Sequence, residues 1–544
     1  MTIARFSTPT VRALALAAIA AGASACSSTG PNTLIGDWDD PATETPHQGG
    51  GGDSGLPPGT GGGSDPKPDG GTAVDSGVPA PPPVATSAPV VENLTISEVA
   101  VFQTVKLSVM KGGTAQTPKA PVIAGRTALV RVYVTPGGGW SAHTIQGQLT
   151  LDSGGNKTTI PVDATPSAAS TDASLASTIN FEVPGDSIKT DTKFTIVLRE
   201  KSGTKAPPAS SPAQWPMDGT LTNLGAVSTG AQLKVVFVPI QYGADGSNRL
   251  PDTSTAQLQR YKDLLYALYP TPSVSVSVRA QPVAINYTVS ANGSGWNQLL
   301  TQILQVRAAD APTADVYYYG VFSGAASVQT YCGGGCVAGL SPVITNPNDS
   351  GSRASIGLGF TGDLSAEAMV HELGHAHGRN HAPCGGVAGP DPGYPYSGGA
   401  LGSWGYSLVT KTLKDPAQFK DLMGYCNPGW FSDYNYNALV ARVKAVNGAS
   451  MVAMAPRSFQ YASVDENGGL TWMGAATLTQ MPGGEPRAIV YEAVDGTPIG
   501  EDTGYLVTHD HVPGGTLVAP SGPVGTARIR FKDTSKSLMF APKL

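Results

Sequence analysis

The chain has little charge: Asp, Glu, Lys and Arg make up 14% of its 544 residues. Lys and Arg number 34 against 40 acidic residues, for a formal charge of −6. No basic run or stripe is present, so the electrostatic footprint of a nucleic-acid-binding surface is missing. Long apolar runs are missing too, which leaves no candidate for a transmembrane helix. Cysteine is rare, with five in all. Glycine (68) and proline (45) are abundant instead, a balance that favours β-rich domains and loops over helical bundles. The length exceeds what one ordinary core organises, so two to four domains are expected.

The start reads as an export signal. Arg5 and Arg12 precede an apolar run from Ala13 to Ala23, too short to span a bilayer as a stable helix. It closes on Ala23-Ser24-Ala25-Cys26, small residues before a cysteine. This resembles a bacterial lipoprotein signal over residues 1–26, in which Cys26 is lipidated and becomes the mature N-terminus. Ala23 stands where a bulky aliphatic residue is usual, and plain cleavage after Ala25 is the alternative. The expectation is a cell-envelope lipoprotein at the outer membrane or cell surface, touching membrane only through Cys26, or else a secreted protein. Residues 27–92 form a Gly-, Pro- and Ser-rich tether, typified by Gly49 to Gly52 and Pro81 to Pro83, unable to bury enough apolar surface to fold.

From 93 to 227 short alternating stretches, such as Ala128 to Val134 and Phe194 to Leu198, are broken by Gly, Pro, Asp and Ser. They predict a β-sandwich-like domain. From 228 to 449 strands alternate with helices. Strands are expected at 233–240, 274–278, 316–322 and 354–360, and helices after Thr253 or Ser254 and over 299–306 and 431–446. From 450 to 544 a second β-rich module follows, with strands at 488–492 and 527–531.

The central unit carries the one string with strong chemical content, His371-Glu372-Leu373-Gly374-His375-Ala376-His377-Gly378-Arg379-Asn380-His381. Asp363 or Ser365 is expected to cap its helix. Residues four apart lie one above the other on a helix, so His371 and His375 share a face and can ligate one Zn²⁺. Glu372 lies about 100° around the helix, where it can reach a water without ligating the metal. Gly378 can enter the left-handed region and end the helix, so that His381 returns to the same ion. Three protein ligands leave a position open to water, as catalytic zinc requires. His377 points to nearly the opposite side and is expected to be exposed or to sit behind a ligand.

The string resembles the zinc signature of the metzincin metallopeptidases. Their second landmark, a methionine turn beneath the metal, has a candidate in Asp421-Leu422-Met423-Gly424-Tyr425-Cys426. The resemblance covers His371, Glu372, His375, Gly378, His381 and Met423. It implies an α/β zinc peptidase domain, hence a multidomain α+β chain in which that domain is flanked by β-sandwich-like modules. Tyr425 stands where some branches carry a tyrosine that ligates zinc or steadies the transition state. The residues after His381 (Ala382, Pro383, Cys384) match none of the best-known branches.

With Cys26 set aside, Cys332, Cys336, Cys384 and Cys426 allow three pairings. Cys332 and Cys336 flank three glycines and could close a small loop. If the methionine turn packs under the zinc as the resemblance implies, Cys384 and Cys426 are neighbours, giving Cys384–Cys426 and Cys332–Cys336. A second metal site is the rival reading, but no C-x₂-C pair supports it. Asn346-Pro347-Asn348-Asp349 could hold Ca²⁺, but a turn is expected because its spacing fits no recognised loop. Trp404, Tyr406 and Trp430 are expected to fill core space and not a substrate groove. His509 and His511, flanking Asp510, could suggest a metal site, but two ligands without a third are a weak signal and both are expected at the surface.

The implied function is a zinc metalloendopeptidase hydrolysing internal peptide bonds of extracellular proteins or glycoproteins. Glu372 serves as general base, and Tyr425 is a candidate donor to the oxyanion. The alternative is a non-catalytic adhesin or glycan-binding lipoprotein that retains a metal site.

Overall fold

A computed structural model describes residues 87–448, 454–533 and 537–539. The expected signal, Cys26 and all but the last residues of the tether lie outside the described residues.

The first folded region has two sheets sharing one apolar core. Leu94–Lys111, Ala128–Pro136 and Ile179–Val183 pair antiparallel in one. Ile145–Ser153, Asn156–Ala164 and Lys193–Glu200 do so in the other. Along Ile145–Ser153 every second residue is buried, as a strand with one solvated face requires. Val99, Val101, Val130, Leu149, Phe194 and Ile196 meet in the core between them.

The central sheet is built on Leu233–Tyr242. It pairs parallel with Val274–Val278, Val283–Ile285 and Val316–Phe322. Val316–Phe322 continues parallel to Ala354–Leu358, and Gly339–Leu340 closes the edge antiparallel. Among the described residues there are five α-helices: α1 (Thr255–Leu268), α2 (Trp296–Asp310), α3 (Val328–Cys332), α4 (Asp363–Ala376) and α5 (Asp433–Gly448). Ser254 caps α1 by accepting from the Gln257 N–H at 3.3 Å, and satisfies a donor the first turn leaves free. Beyond α5, a sheet of seven antiparallel strands runs from Arg457 to Met539. Phe459, Tyr461 and Val518 of that sheet share a core with Trp296, Leu299 and Ile303 of α2.

The expected fold class is corrected here. Among the described residues strand makes up 36% against 17% helix, in several curled antiparallel sheets, so this part of the chain is mostly β and not a metzincin-like α/β domain in an α+β setting. The strand–helix alternation read from residue 233 to α4 is local. Among the described residues, the regular structure before it is strand apart from two 3₁₀ turns and after α5 is strand alone, and between α4 and α5 the chain pairs only in two-residue strands among glycines and prolines. The flanks, β-branched and weakly charged, favour strand and outweigh these few helices.

Candidate metal centre

The strand Ala354–Leu358, buried along its whole length, delivers the chain to α4. Gly362, at φ 113°, occupies the N-cap position in place of Asp363 or Ser365. Every residue of α4 from Ser365 to Ala376 is buried, and Ala366, Met369, Val370 and Leu373 pack into the core beneath the sheet. The helix ends after Ala376. Gly378 stands at φ 79°, its N–H donating to His375 O at 2.8 Å, while the Arg379 N–H donates to Gly374 O at 2.9 Å. This pair of bonds is a Schellman closure. A Cβ at 378 would lie 2.7 Å from Ile344 O, so the turn needs glycine.

That turn returns His381 to the helix. His375 Nε2 lies 3.0 Å from His371 Nε2 and 3.2 Å from His381 Nε2. The other ring nitrogens face backbone carbonyls: His371 Nδ1 to Leu422 O at 2.7 Å, His375 Nδ1 to Arg379 O at 2.6 Å, His381 Nδ1 to Ala388 O at 2.9 Å. A carbonyl only accepts, so each Nδ1 carries the proton and each Nε2 presents a lone pair. Burial, then the neighbouring histidines, hold His371 well below the usual imidazole range and His381 down to about 3. Three lone pairs this close repel one another unless a cation lies among them. Donors about 2.0–2.1 Å from a tetrahedral ion stand about 3.3 Å apart, close to the separations here. The buried cluster of histidines, Glu372 and Asp510 could hold a metal ion.

The Met423 turn lies against this helix. A Cβ on Gly374 would run into Met423 Sδ, and Met423 is fully buried. Its N–H donates to Asp421 Oδ1 at 2.8 Å, and its carbonyl accepts from the Ala382 N–H at 3.0 Å. The turn therefore braces both the helix and the segment carrying His381. Cys384 and Cys426 are bonded across the same place, and Cys332 is bonded to Cys336.

No protein-family model matches the chain, and no curated protein matches it by sequence.

Other expectations fare differently. His377 is buried, its ring stacked on Tyr317 at 4.4 Å and 14°, with Nδ1 2.6 Å from Leu373 O. It is a core residue, because the far side of α4 faces the sheet's tyrosines and not solvent. Trp430 and Tyr406 are buried, as core residues. Asn346–Asp349 is a turn, closed by the Asp349 N–H on Asn346 O at 3.1 Å, and joins no metal-ligand cluster among the described residues.

Two residues of the centre were expected at the surface. Asp510 and His511 belong to a loop of the C-terminal sheet, yet Asp510 Oδ2 lies 2.9 Å from His375 Nε2. His511 Nε2 lies 3.1 Å from Glu372 Oε1 and 3.2 Å from Asp510 Oδ2. Its Nδ1 is 2.5 Å from the Tyr425 hydroxyl. His509 turns the other way, with Nδ1 2.7 Å from Asn297 Oδ1 on α2. None of the three is a free surface residue. The His-Asp-His alternation was the available signal, but nothing local says which distant surface a loop folds onto. Burial, then the Asp510 charge, holds the Glu372 carboxyl well above the usual range. Burial pushes Asp510 up, but His511 and His375 more than offset it and its carboxyl stays low.

Proposed function

We propose that the chain is a zinc-dependent endopeptidase that hydrolyses internal peptide bonds of extracellular proteins. One observation carries this reading: three buried imidazoles, each with its Nδ1 facing a carbonyl, turn their Nε2 lone pairs on one point beside Glu372. An all-nitrogen donor set without thiolate suits zinc. The resemblance of the eleven-residue string and Met423 to the metzincin landmarks supports the same choice.

His371, His375 and His381 would hold the ion. When bound, zinc supplies Lewis acidity to a water and to the oxygen of a scissile carbonyl. Glu372 takes the proton of the attacking water and passes it to the leaving amine. Tyr425 can donate to the developing oxyanion once its hydroxyl leaves His511. The edge strand Gly339–Leu340 lies over Glu372, close enough that a Cβ on Gly339 would run into that side chain. Its outer backbone groups suit an extended peptide. Export with lipidation at Cys26, or secretion, is part of the proposal, and two disulfides suit an oxidising compartment.

Peptide-library digestion with product identification tests it, using zinc-loaded full-length protein. Cleavage that chelation stops, and that Glu372→Gln lowers by about 10²–10⁴-fold with the metal retained, is expected. No hydrolysis by the wild type or by Asp510→Asn would sink the reading. A second reading, a non-catalytic adhesin or glycan-binding lipoprotein with a structural metal, is favoured by Asp510, because four protein donors describe a closed centre. Ligand binding that Glu372→Ala leaves unchanged, without hydrolysis, would favour it.

A further inference from the structure

We propose that the Thr508–Gly514 loop is an inhibitory plug, in which Asp510 is a fourth protein ligand and fills the position that peptide hydrolysis must keep open. The proposal rests on the endopeptidase reading and names its regulation.

Four observations converge. Asp510 Oδ2 is buried and points at the meeting place of the three imidazoles, 2.9 Å from His375 Nε2 and 3.2 Å from His511 Nε2. A protonated His375 could satisfy that oxygen, but only by losing the lone pair that faces the other two rings. A cation satisfies all four groups together. Second, the loop is held in the place an extended peptide would take. Asp510 Oδ1 accepts from the Ser341 N–H at 2.7 Å, and the Asp510 N–H donates to Ser341 O at 2.9 Å. Pro342 and His509 form an antiparallel bridge beside them. The outer edge of strand Gly339–Leu340 is thus already paired at its end, as a bound strand would pair it.

Third, the loop engages the catalytic candidates: His511 lies on Glu372 Oε1 at 3.1 Å and on the Tyr425 hydroxyl at 2.5 Å. Fourth, the loop tip is strained. His511 stands at φ 47°, a region that side chains other than glycine seldom enter, and such residues persist where the surroundings hold them for function. The rest of the C-terminal sheet shares its core with α2, and Thr301 Oγ1 of that helix lies 2.6 Å from Thr516 Oγ1 on the strand after the loop. The sheet is therefore an anchor, and the loop is the part that must leave. His511 is the other nitrogen near the cluster, but its Nε2 already faces Glu372 and Asp510, and its Nδ1 faces Tyr425.

The experiment uses the full-length chain and its Asp510→Asn variant, which keeps an oxygen for the Ser341 N–H, with Asp510→Ala beside it. Zinc affinity is measured by competition with a chromophoric chelator, coordination by the visible spectrum of the Co²⁺-loaded protein, and cleavage on a denatured protein. The expected result is zinc affinity at least 10-fold weaker, an altered Co²⁺ spectrum and cleavage at least 10-fold faster in both variants, with unchanged circular dichroism in Asp510→Asn. An unchanged affinity and spectrum in Asp510→Asn would overturn the ligand assignment whatever the activity. An altered spectrum with cleavage no faster than the wild type's would overturn the plug while leaving the endopeptidase standing. An altered spectrum with no hydrolysis by any form would instead bring down the endopeptidase reading, and the plug with it.

Discussion

Met423 Sδ fills the space where a side chain at Gly374 would stand. The helix face between the first two imidazoles is thereby kept bare, and the methionine turn sits flush against it. Gly374→Ala should cost about 1–3 kcal/mol through overpacking and weaken metal binding about 10-fold by displacing the turn. Thermal unfolding and zinc competition check this. Adding Met423→Ala should restore part of the loss, because the two sites touch and their effects are not additive.

His377 and His381 should part company on mutation. His377→Ala removes a ring stacked on Tyr317 and should cost about 2–4 kcal/mol of stability while one equivalent of metal still binds. His381→Ala should leave the melting of the metal-free protein nearly unchanged and lower zinc affinity by about 100-fold or more. Equal metal loss in both variants would refute the division of labour.

The two disulfides should differ in weight. Cys384–Cys426 spans 42 residues and Cys332–Cys336 only 4. Replacing the first pair by serines should cost about 3–4 kcal/mol on loop-entropy grounds and loosen the metal, because its ends flank the third imidazole and the Met423 turn. Replacing the second should cost less. Denaturant unfolding of both double variants measures the difference.

Lys414 supplies a pH signature away from the metal. It is buried, over the rings of Phe419 and Trp430 at 4.9 and 5.2 Å, and burial pulls its ammonium down to about 8. The folded value lies below the unfolded one, so the unfolded chain binds more protons between about pH 8 and 10.5. Stability contributed by this site should rise with pH through that window and be lost as pH falls through 8. Melting temperatures of the wild type and Lys414→Met, compared from pH 7.5 to 9.5 before tyrosines titrate, should show the rise only in the wild type.

Local chemistry was the legible part of this chain. The i, i+4 spacing of His371 and His375, the helix-ending Gly378 and the strand Val316–Phe322 all follow from periodicity and backbone preference over a few residues, and the structure places them accordingly. The β-rich flanks were expected, but the fold class was misread for the central unit, whose strand–helix alternation is too short to offset the antiparallel sheets around it. Asp510 and His511 were placed at the surface for a different reason. They reach Glu372 across 138 and 139 positions of sequence, and no periodicity links a loop to the surface it covers. His377 was misplaced because a histidine's burial depends on what faces the helix, here Tyr317 and Tyr269.

The short strand Gly405–Tyr406, between the third imidazole and the Met423 turn, pairs with Thr104 and Val105 of the first long strand. Tyr436 and Val440 of α5 sit in the N-terminal core, and Trp430 Nε1 donates to Thr104 O at 2.9 Å. A recombinant fragment starting at residue 228 would strip a neighbour from the loop that shapes the floor of the centre and bare one side of α5. The front of the molecule is consequently no detachable escort: maturation by trimming has to spare it, and an expression strategy has to begin before Leu94.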